Sequence, residues 1–271
     1  MTLDDYIHPK STPGPSNSLP YYVKGGGTDS MVQMWTVMSQ IASGVEYIHG
    51  EHQIHRDIKP GNGDAPSFAQ RTDLLVLYSS KSSVWKLADF GLSSEGSSTR
   101  NLPTKYSNGT PGYRAPELMD SGGDPAMFNN KVDIWATGCI LYELATGTRP
   151  FKSDWEIVIH RVSRKNMDVV LDDSFDMHSV ETIEKHIVDM LQIDPSHRPS
   201  ASFLSKEFER QLQLAHHNVL HSTTTDSVTL AENSEFRQED QDQSGLVSQE
   251  DTPIDLAEEN PPEVYSTKLF R

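Results

Sequence analysis

A single cysteine in 271 residues excludes an intrachain disulfide and fits a reducing compartment. Positive charge is scarce. Lys and Arg number 23 against 39 Asp and Glu, a formal net charge of −16, which argues against nucleic acid or an anionic membrane as partner. Long apolar runs are missing, and no stretch approaches the ~18 residues that a membrane span needs. The opening residues, Met1-Thr2-Leu3-Asp4-Asp5, offer neither a basic region nor an apolar core, so no signal peptide is expected. These absences leave an acidic, soluble chain expected in the cytoplasm or nucleus. A globular part of about 200 residues can bury roughly 70% of its unfolded surface, so a self-sufficient core is within reach.

What is present is unevenly distributed. Residues 221–271 hold 12 acidic and 3 basic side chains, many Ser, Thr and Gln, and few large apolar groups. Such a composition cannot offset its ordering entropy, so a disordered acidic tail is expected over 215–271. At the other end, Thr2 to Ile7 fits a short helix, and the Pro-, Ser- and Gly-rich run from Ser11 to Gly27 fits a loop, giving a first segment over 1–29. Ser30 and Gln33 have capping-box spacing, and Met31, Met34, Trp35, Met38, Ile41, Val45 and Ile48 follow at helical intervals, with Gly50 as the stop. Leu74–Tyr78 and Val84–Ala88 are apolar runs around a Ser-rich turn and predict a β-hairpin. Ile134 to Leu144 is apolar nearly all round, which predicts a helix buried on every side. Trp155–Val162, Val180–Leu191 and Ala201–Leu214 predict further helices. The expected fold class is therefore mainly α with a small β-hairpin (α+β), its globular part spanning 30–214.

Three segments carry chemistry. His55-Arg56-Asp57-Ile58-Lys59-Pro60-Gly61-Asn62 holds a carboxylate, a cation two residues on and an amide five residues beyond the carboxylate. A carboxylate can orient a hydroxyl and accept its proton, an ammonium can neutralise a transferring phosphate, and an amide oxygen can ligate Mg²⁺. By itself this octapeptide could equally be a solvated connection. Asp89-Phe90-Gly91 follows the second hairpin strand, where a carboxylate can hold a metal at a cleft mouth; alone it could be an ordinary turn. Gly109-Thr110-Pro111-Gly112-Tyr113-Arg114-Ala115-Pro116-Glu117 makes a rigid, non-helical platform, or simply a structural loop.

In this order the three segments resemble the eukaryotic protein kinase family, serine/threonine type. Asp133-Ile134-Trp135-Ala136-Thr137-Gly138 resembles the start of the buried central helix of the kinase C-terminal lobe, and Asp194-Pro195-Ser196-His197-Arg198-Pro199 resembles the late D-P-x-x-R-P segment. About fifteen ordered matches put coincidence out of question. The resemblance covers roughly residues 1–210 and implies ATP and Mg²⁺ as cofactors and a Ser- or Thr-bearing protein as substrate. By position it makes Asp57 the catalytic aspartate, Lys59 the cation beside the transferring phosphate, and Thr110 the threonine contacting both. Asn62 and Asp89 match the two metal-holding side chains. Asp133 would anchor the His55-Arg56 turn, and Glu117 and Arg198 would form a buried ion pair. His55 is expected to pack beside Phe90 rather than to ligate metal, and Cys139 to be an inert core thiol. Arg56 would pair with a phosphate on the segment Asp89–Glu117. Thr104 and Ser107 are the best-placed acceptors, and Tyr106 lies at an equivalent spacing.

The pattern also departs from the family. These residues contain no Gly-x-Gly-x-x-Gly loop, no Val-Ala-x-Lys-like lysine of a small lobe's third strand and no helix glutamate to pair with it; Gly25-Gly26-Gly27 precedes a helix and follows no such strand. Thr2–Ile7 resembles the first helix after the interlobe hinge, so the expectation is a C-terminal lobe without its N-terminal lobe. Gly63 to Asp73 intervene between Asn62 and the hairpin, as an inserted loop or as misjoined sequence. The expected function is phosphoryl transfer to protein Ser or Thr by a truncated catalytic domain. A catalytically inactive, kinase-derived binding module and a gene-model fragment are the alternatives. An exposed interlobe face would call for a partner to cover it.

Overall fold

The computed structural model describes residues 1–9, 25–61, 76–104, 108–119, 125–163, 165 and 167–239, with side chains to residue 220. Most of the loop read between Ser11 and Gly27, the stretch 63–73 and its neighbour Asn62, and residues 105–107 lie outside the described residues, as does 240–271. Two units are distinguished, 1–223 and 224–271. Everything below concerns the first, apart from the helical backbone of 224–239.

The elements in chain order are α1 (Leu3–Ile7), α2 (Thr28–Gly50), β1 (Gln53–Ile54), β2 (Val76–Ser79), β3 (Val84–Leu87), β4 (Ser94–Glu95), β5 (Leu102–Thr104), β6 (Ala126–Phe128), α3 (Lys131–Thr146), α4 (Asp154–Ser163), α5 (Met177–Met190) and α6 (Ala201–Glu239). Among the described residues helix dominates, and the strands form three two-stranded antiparallel pairs. The expected hairpin is β2–β3, with Val76 opposite Leu87 and Ser79 opposite Val84. The pairs β1–β4 and β5–β6 are additions to the sequence reading. Strands of two or three residues show no alternation, and their partners lie far along the chain, so no local signal marks them.

α3 is the centre of the core. Ile134, Trp135, Cys139, Ile140, Leu141 and Leu144 are all buried, as expected of a helix apolar on every side. Its Gly138 lets α5 approach closely: a Cβ there would stand 2.8 Å from Met190 Cβ. α2 packs on the same core through Met34, Trp35, Met38, Ile41 and Val45. Trp35 meets Phe208 of α6, ring centroids 5.6 Å apart.

Two boundaries differ from the sequence reading. The Ser30–Gln33 capping box does not form. α2 begins three residues earlier with Gly27 as N-cap, the Met31 N–H already bonded to the Gly27 carbonyl at 3.0 Å, and Ser30 is buried inside the helix. α6 does not stop near Leu214 but runs to Glu239, through the first part of the segment read as disordered tail. Among its described side chains, which end at Leu220, the last buried apolar one is Ala215. Once a helix is nucleated on a packed face, each further residue adds its own i→i−4 bond, so helix can extend past the last core contact. Among the described residues no helix is long and apolar enough to cross a membrane.

Candidate active site

The chain leaves α2 through a turn at Glu51-His52, adds the two residues of β1, and enters the loop His55–Gly61. Arg56 sits at φ 72°, a left-handed conformation that is costly for a residue with a Cβ. Asp133, in the first turn of α3, holds it there. Its Oδ2 accepts the His55 N–H and its Oδ1 the Arg56 N–H, both at 2.8 Å, while His49 Nε2 lies 2.9 Å from Oδ2. Asp133 is itself buried. A carboxylate removed from water is stabilised by such converging donors, so the loop is fastened to the most rigid element of the core.

That fastening sets Asp57 and Lys59 on one side of the loop, Lys59 buried like Ile58 between them. Lys59 Nζ donates to Asp57 Oδ2 at 3.3 Å and to Thr110 Oγ1 at 2.5 Å. The Thr110 hydroxyl donates to Asp57 Oδ1 at 2.7 Å. The three side chains close a triangle. Thr110 is in reach because the backbone one residue earlier passes hard against the loop: Gly109 has φ 100°, and a Cβ there would sit 2.7 Å from the Arg56 carbonyl oxygen. Arg114 fixes the same backbone, its Nε donating to the Gly109 carbonyl at 2.7 Å while its Nη1 pairs with Asp154 of α4. Asp154 also accepts the Gly112 N–H at 3.2 Å.

The platform is then tied into the core twice. Tyr113 donates its hydroxyl to Glu143 of α3 at 2.5 Å. Burial, with the Glu143 charge, pushes that hydroxyl far up, so it remains a donor. Glu117 accepts two parallel bonds from Arg198, at 2.6 and 2.8 Å. Arg198 also donates Nε to Gln192 O, Nη1 to Lys131 O and Nη2 to Ile193 O, which occupies all five of its N–H groups. Its side chain is 0% exposed. Arg198→Ala is expected to destabilise the fold by about 3–5 kcal/mol, because the Glu117 carboxylate loses its partner and three carbonyls lose a donor. Urea denaturation of the two proteins measures this, and an unchanged midpoint would show the pair to be dispensable.

The remaining expected residues are placed as follows. His55 packs on Phe90, ring centroids 5.0 Å apart, with Nε2 donating to Ala88 O at 3.0 Å. Asp89 is exposed beyond the end of β3 at φ 60°, its Oδ1 accepting the Gly91 N–H at 3.0 Å. Arg56 directs Nη1 to Ser94 Oγ at 2.9 Å and Nη2 to Thr104 Oγ1 at 3.5 Å, with its guanidinium 4.6 Å over the Phe128 ring. Burial lowers its pKa. Thr104 is buried in β5, so an enzyme modifying its hydroxyl requires β5 to leave β6. Burial raises the Cys139 thiol well above its ordinary range, which keeps it protonated and unreactive. Asn62, Ser107 and Tyr106 lie outside the described residues.

Sequence reasoning did not single out Ser94, Phe128, Tyr113, Glu143, Asp154 or His49 as site-building residues. Most meet their partners across 30 to 84 positions, where no spacing rule applies. The donor set suits a phosphate with a hard cation: an exposed carboxylate at a strand end, and an ammonium beside a second carboxylate.

Comparison with known proteins agrees with this geometry. The family model described as protein kinase domain matches residues 14–208. The chain is 33% identical over 189 residues to 3-phosphoinositide-dependent protein kinase 1 of Arabidopsis thaliana, covering 66% of this chain and 33% of that one. It is 32% identical over 193 residues to serine/threonine-protein kinase ppk11 of Schizosaccharomyces pombe, covering 68% and 52%. It is 32% identical over 186 residues to germinal center kinase 3 of Caenorhabditis elegans, covering 65% and 28%. The matched part thus spans between about a quarter and about a half of these relatives' lengths.

Proposed function

The chain belongs to the protein kinase family, and we propose that it supplies the hydroxyl-positioning half of a serine/threonine kinase site, transferring phosphate from ATP to Ser or Thr of a protein. The observation that carries this reading is the closed triangle of Asp57, Lys59 and Thr110. In it Asp57 receives the substrate hydroxyl and takes its proton, and Lys59 sets a positive charge where the transferring phosphate gains negative charge. Thr110 links the loop to the peptide platform, so the platform and Asp57 move together. Asp89, and Asn62 from outside the described residues, would hold Mg²⁺, which would neutralise charge on the phosphates. Asp133 acts through the backbone as a positioning residue.

A lysine two residues after Asp57 with Thr110 against it supports Ser/Thr over Tyr as acceptor. The test joins these residues to an N-terminal kinase lobe, supplies labelled ATP and a mixed protein substrate, and hydrolyses the product to amino acids. Label is expected on phosphoserine or phosphothreonine, and label confined to phosphotyrosine would sink the assignment. Arg56 is the proposed receiver of an activating phosphate on Thr104 or Ser107.

A second reading, a kinase-derived binding module, has one observation in its favour: these 271 residues contain no Gly-x-Gly-x-x-Gly loop and no Val-Ala-x-Lys-like strand lysine. The same assay separates the two. A binding module remains silent even with a lobe attached, while a catalytic half becomes active.

A further inference from the structure

α1 and α3 meet at a group of ionisable side chains that lies outside the Asp57, Lys59 and Thr110 triangle. Asp4 and His8 lie four residues apart on one turn, which is closed by the His8 N–H bond to the Asp4 carbonyl at 2.8 Å, so both face the same way. Glu143 reaches them from α3. One ligand atom from each of the three lies within 4.8 Å of the others, and His8 Nε2 is 2.9 Å from Glu143 Oε1.

Charge is poorly balanced here. The Glu143 side chain is 0% exposed and that of Asp4 11%, so two carboxylates leave water side by side. Arg149 faces them with Nε 3.7 Å from Glu143 Oε1 and Nη2 4.0 Å from Asp4 Oδ1, and its side chain is 31% exposed. Among the described residues, one guanidinium against two carboxylates leaves a negative excess whenever the imidazole is neutral.

The geometry points to a site for a divalent transition metal of the zinc type, ligated by the Asp4 carboxylate, His8 Nε2 and Glu143 Oε1. Two carboxylates and one imidazole leave a fourth tetrahedral position for water, a pattern Zn²⁺ accepts. The imidazole selects against Mg²⁺ and Ca²⁺, which prefer oxygen ligands alone. Tyr113, donating to Glu143 Oε2 at 2.5 Å, fixes the carboxylate from behind and leaves Oε1 facing His8, as an outer-shell partner does. Arg149 gives way toward the solvent it already partly faces, because a dication repels a guanidinium at such distances. The ion then clips α1 to α3 beside the residue that seats the platform.

Zinc titration calorimetry on the metal-stripped 271-residue chain, with Co²⁺ absorption as a check on ligand geometry, tests this. One saturable site is expected in the micromolar range, with tetrahedral Co²⁺ bands. Affinity should fall more than about tenfold in His8→Ala and in Asp4→Asn, and rise in Arg149→Met. His8 is partly exposed, so His8→Ala keeps the fold, which a thermal melt without metal verifies. No saturable binding at micromolar zinc, or binding undiminished in both His8→Ala and Asp4→Asn because other histidines account for it, overturns the site.

Discussion

Purified by itself, the 271-residue chain is expected to bind Mg·ATP weakly and to transfer phosphate more than about 10³-fold more slowly than the same residues joined to a lobe with a Gly-rich loop and a strand lysine. The reason is electrostatic. A triphosphate carries several negative charges, and the kinase clamp on it combines metal, backbone N–H groups of the Gly-rich loop and the strand lysine. Of these, the proposed site would offer only Asp89 and Asn62 as metal ligands and Lys59 beside the transferring group. Removing one preorganised donor commonly costs about 10²–10³ in rate, and more than one is missing from this sequence. Asp89 is exposed, and Phe90 and Leu92 beside it are 50% and 38% exposed. Water at such a surface screens the charges that remain. Titration with Mg·ATP and a labelled-transfer assay on the same preparation decide the matter. Micromolar binding together with ordinary turnover would mean that these residues build a nucleotide site in another way. Phe90 and Leu92 should also make the isolated chain prone to association unless a partner covers them.

In the lobe-joined protein, Asp57→Asn is expected to lower kcat by about 10²–10⁴-fold, the usual worth of a positioned general base, with little change in KM for ATP. The substitution keeps the shape of the side chain but not its chemistry. The oxygen of the new amide could still accept from Thr110. Its nitrogen, however, would face Lys59 Nζ donor to donor, where Asp57 Oδ2 now accepts at 3.3 Å. The fold should survive, because the loop is fastened by its own backbone to Asp133 and not through Asp57. Single-turnover transfer and a thermal melt, measured on the same protein, separate chemistry from folding. A turnover close to the parent's, with an unchanged melt, removes Asp57 from the role of base.

Local chemistry makes much of this legible in the sequence. The all-round apolar run at 134–144 requires a buried helix, and the hairpin follows from two apolar runs about a polar turn. The loop at 55–62 announces its functional groups because they stand within eight residues of one another. The resemblance to kinases also anticipates pairs that no spacing could supply, such as Glu117 with Arg198, 81 positions apart. The start of α2 escapes a local reading because Ser30 and Gln33 satisfy a capping pattern, yet packing draws the helix back to Thr28 and buries Ser30. The end of α6 escapes it because composition measures the capacity to bury surface, whereas a helix already nucleated on Phe208 and Ala215 needs none for its next turns.

By itself the sequence determined which groups exist, in what order, and which short segments are helix, hairpin or rigid loop, because capping, periodicity and turn chemistry act over a few residues. The tertiary structure alone decided what each charged group meets. Asp133 reaches back 77 and 78 positions to hold Arg56 and His55, Thr110 crosses 53 to close on Asp57, and Glu143 crosses 135 to His8. Such partners are set by how α2, α3 and the platform pack. A carboxylate's identity says that, once buried, it needs a cation or a donor, but only the close-packed core fixes which one stands within about 3 Å.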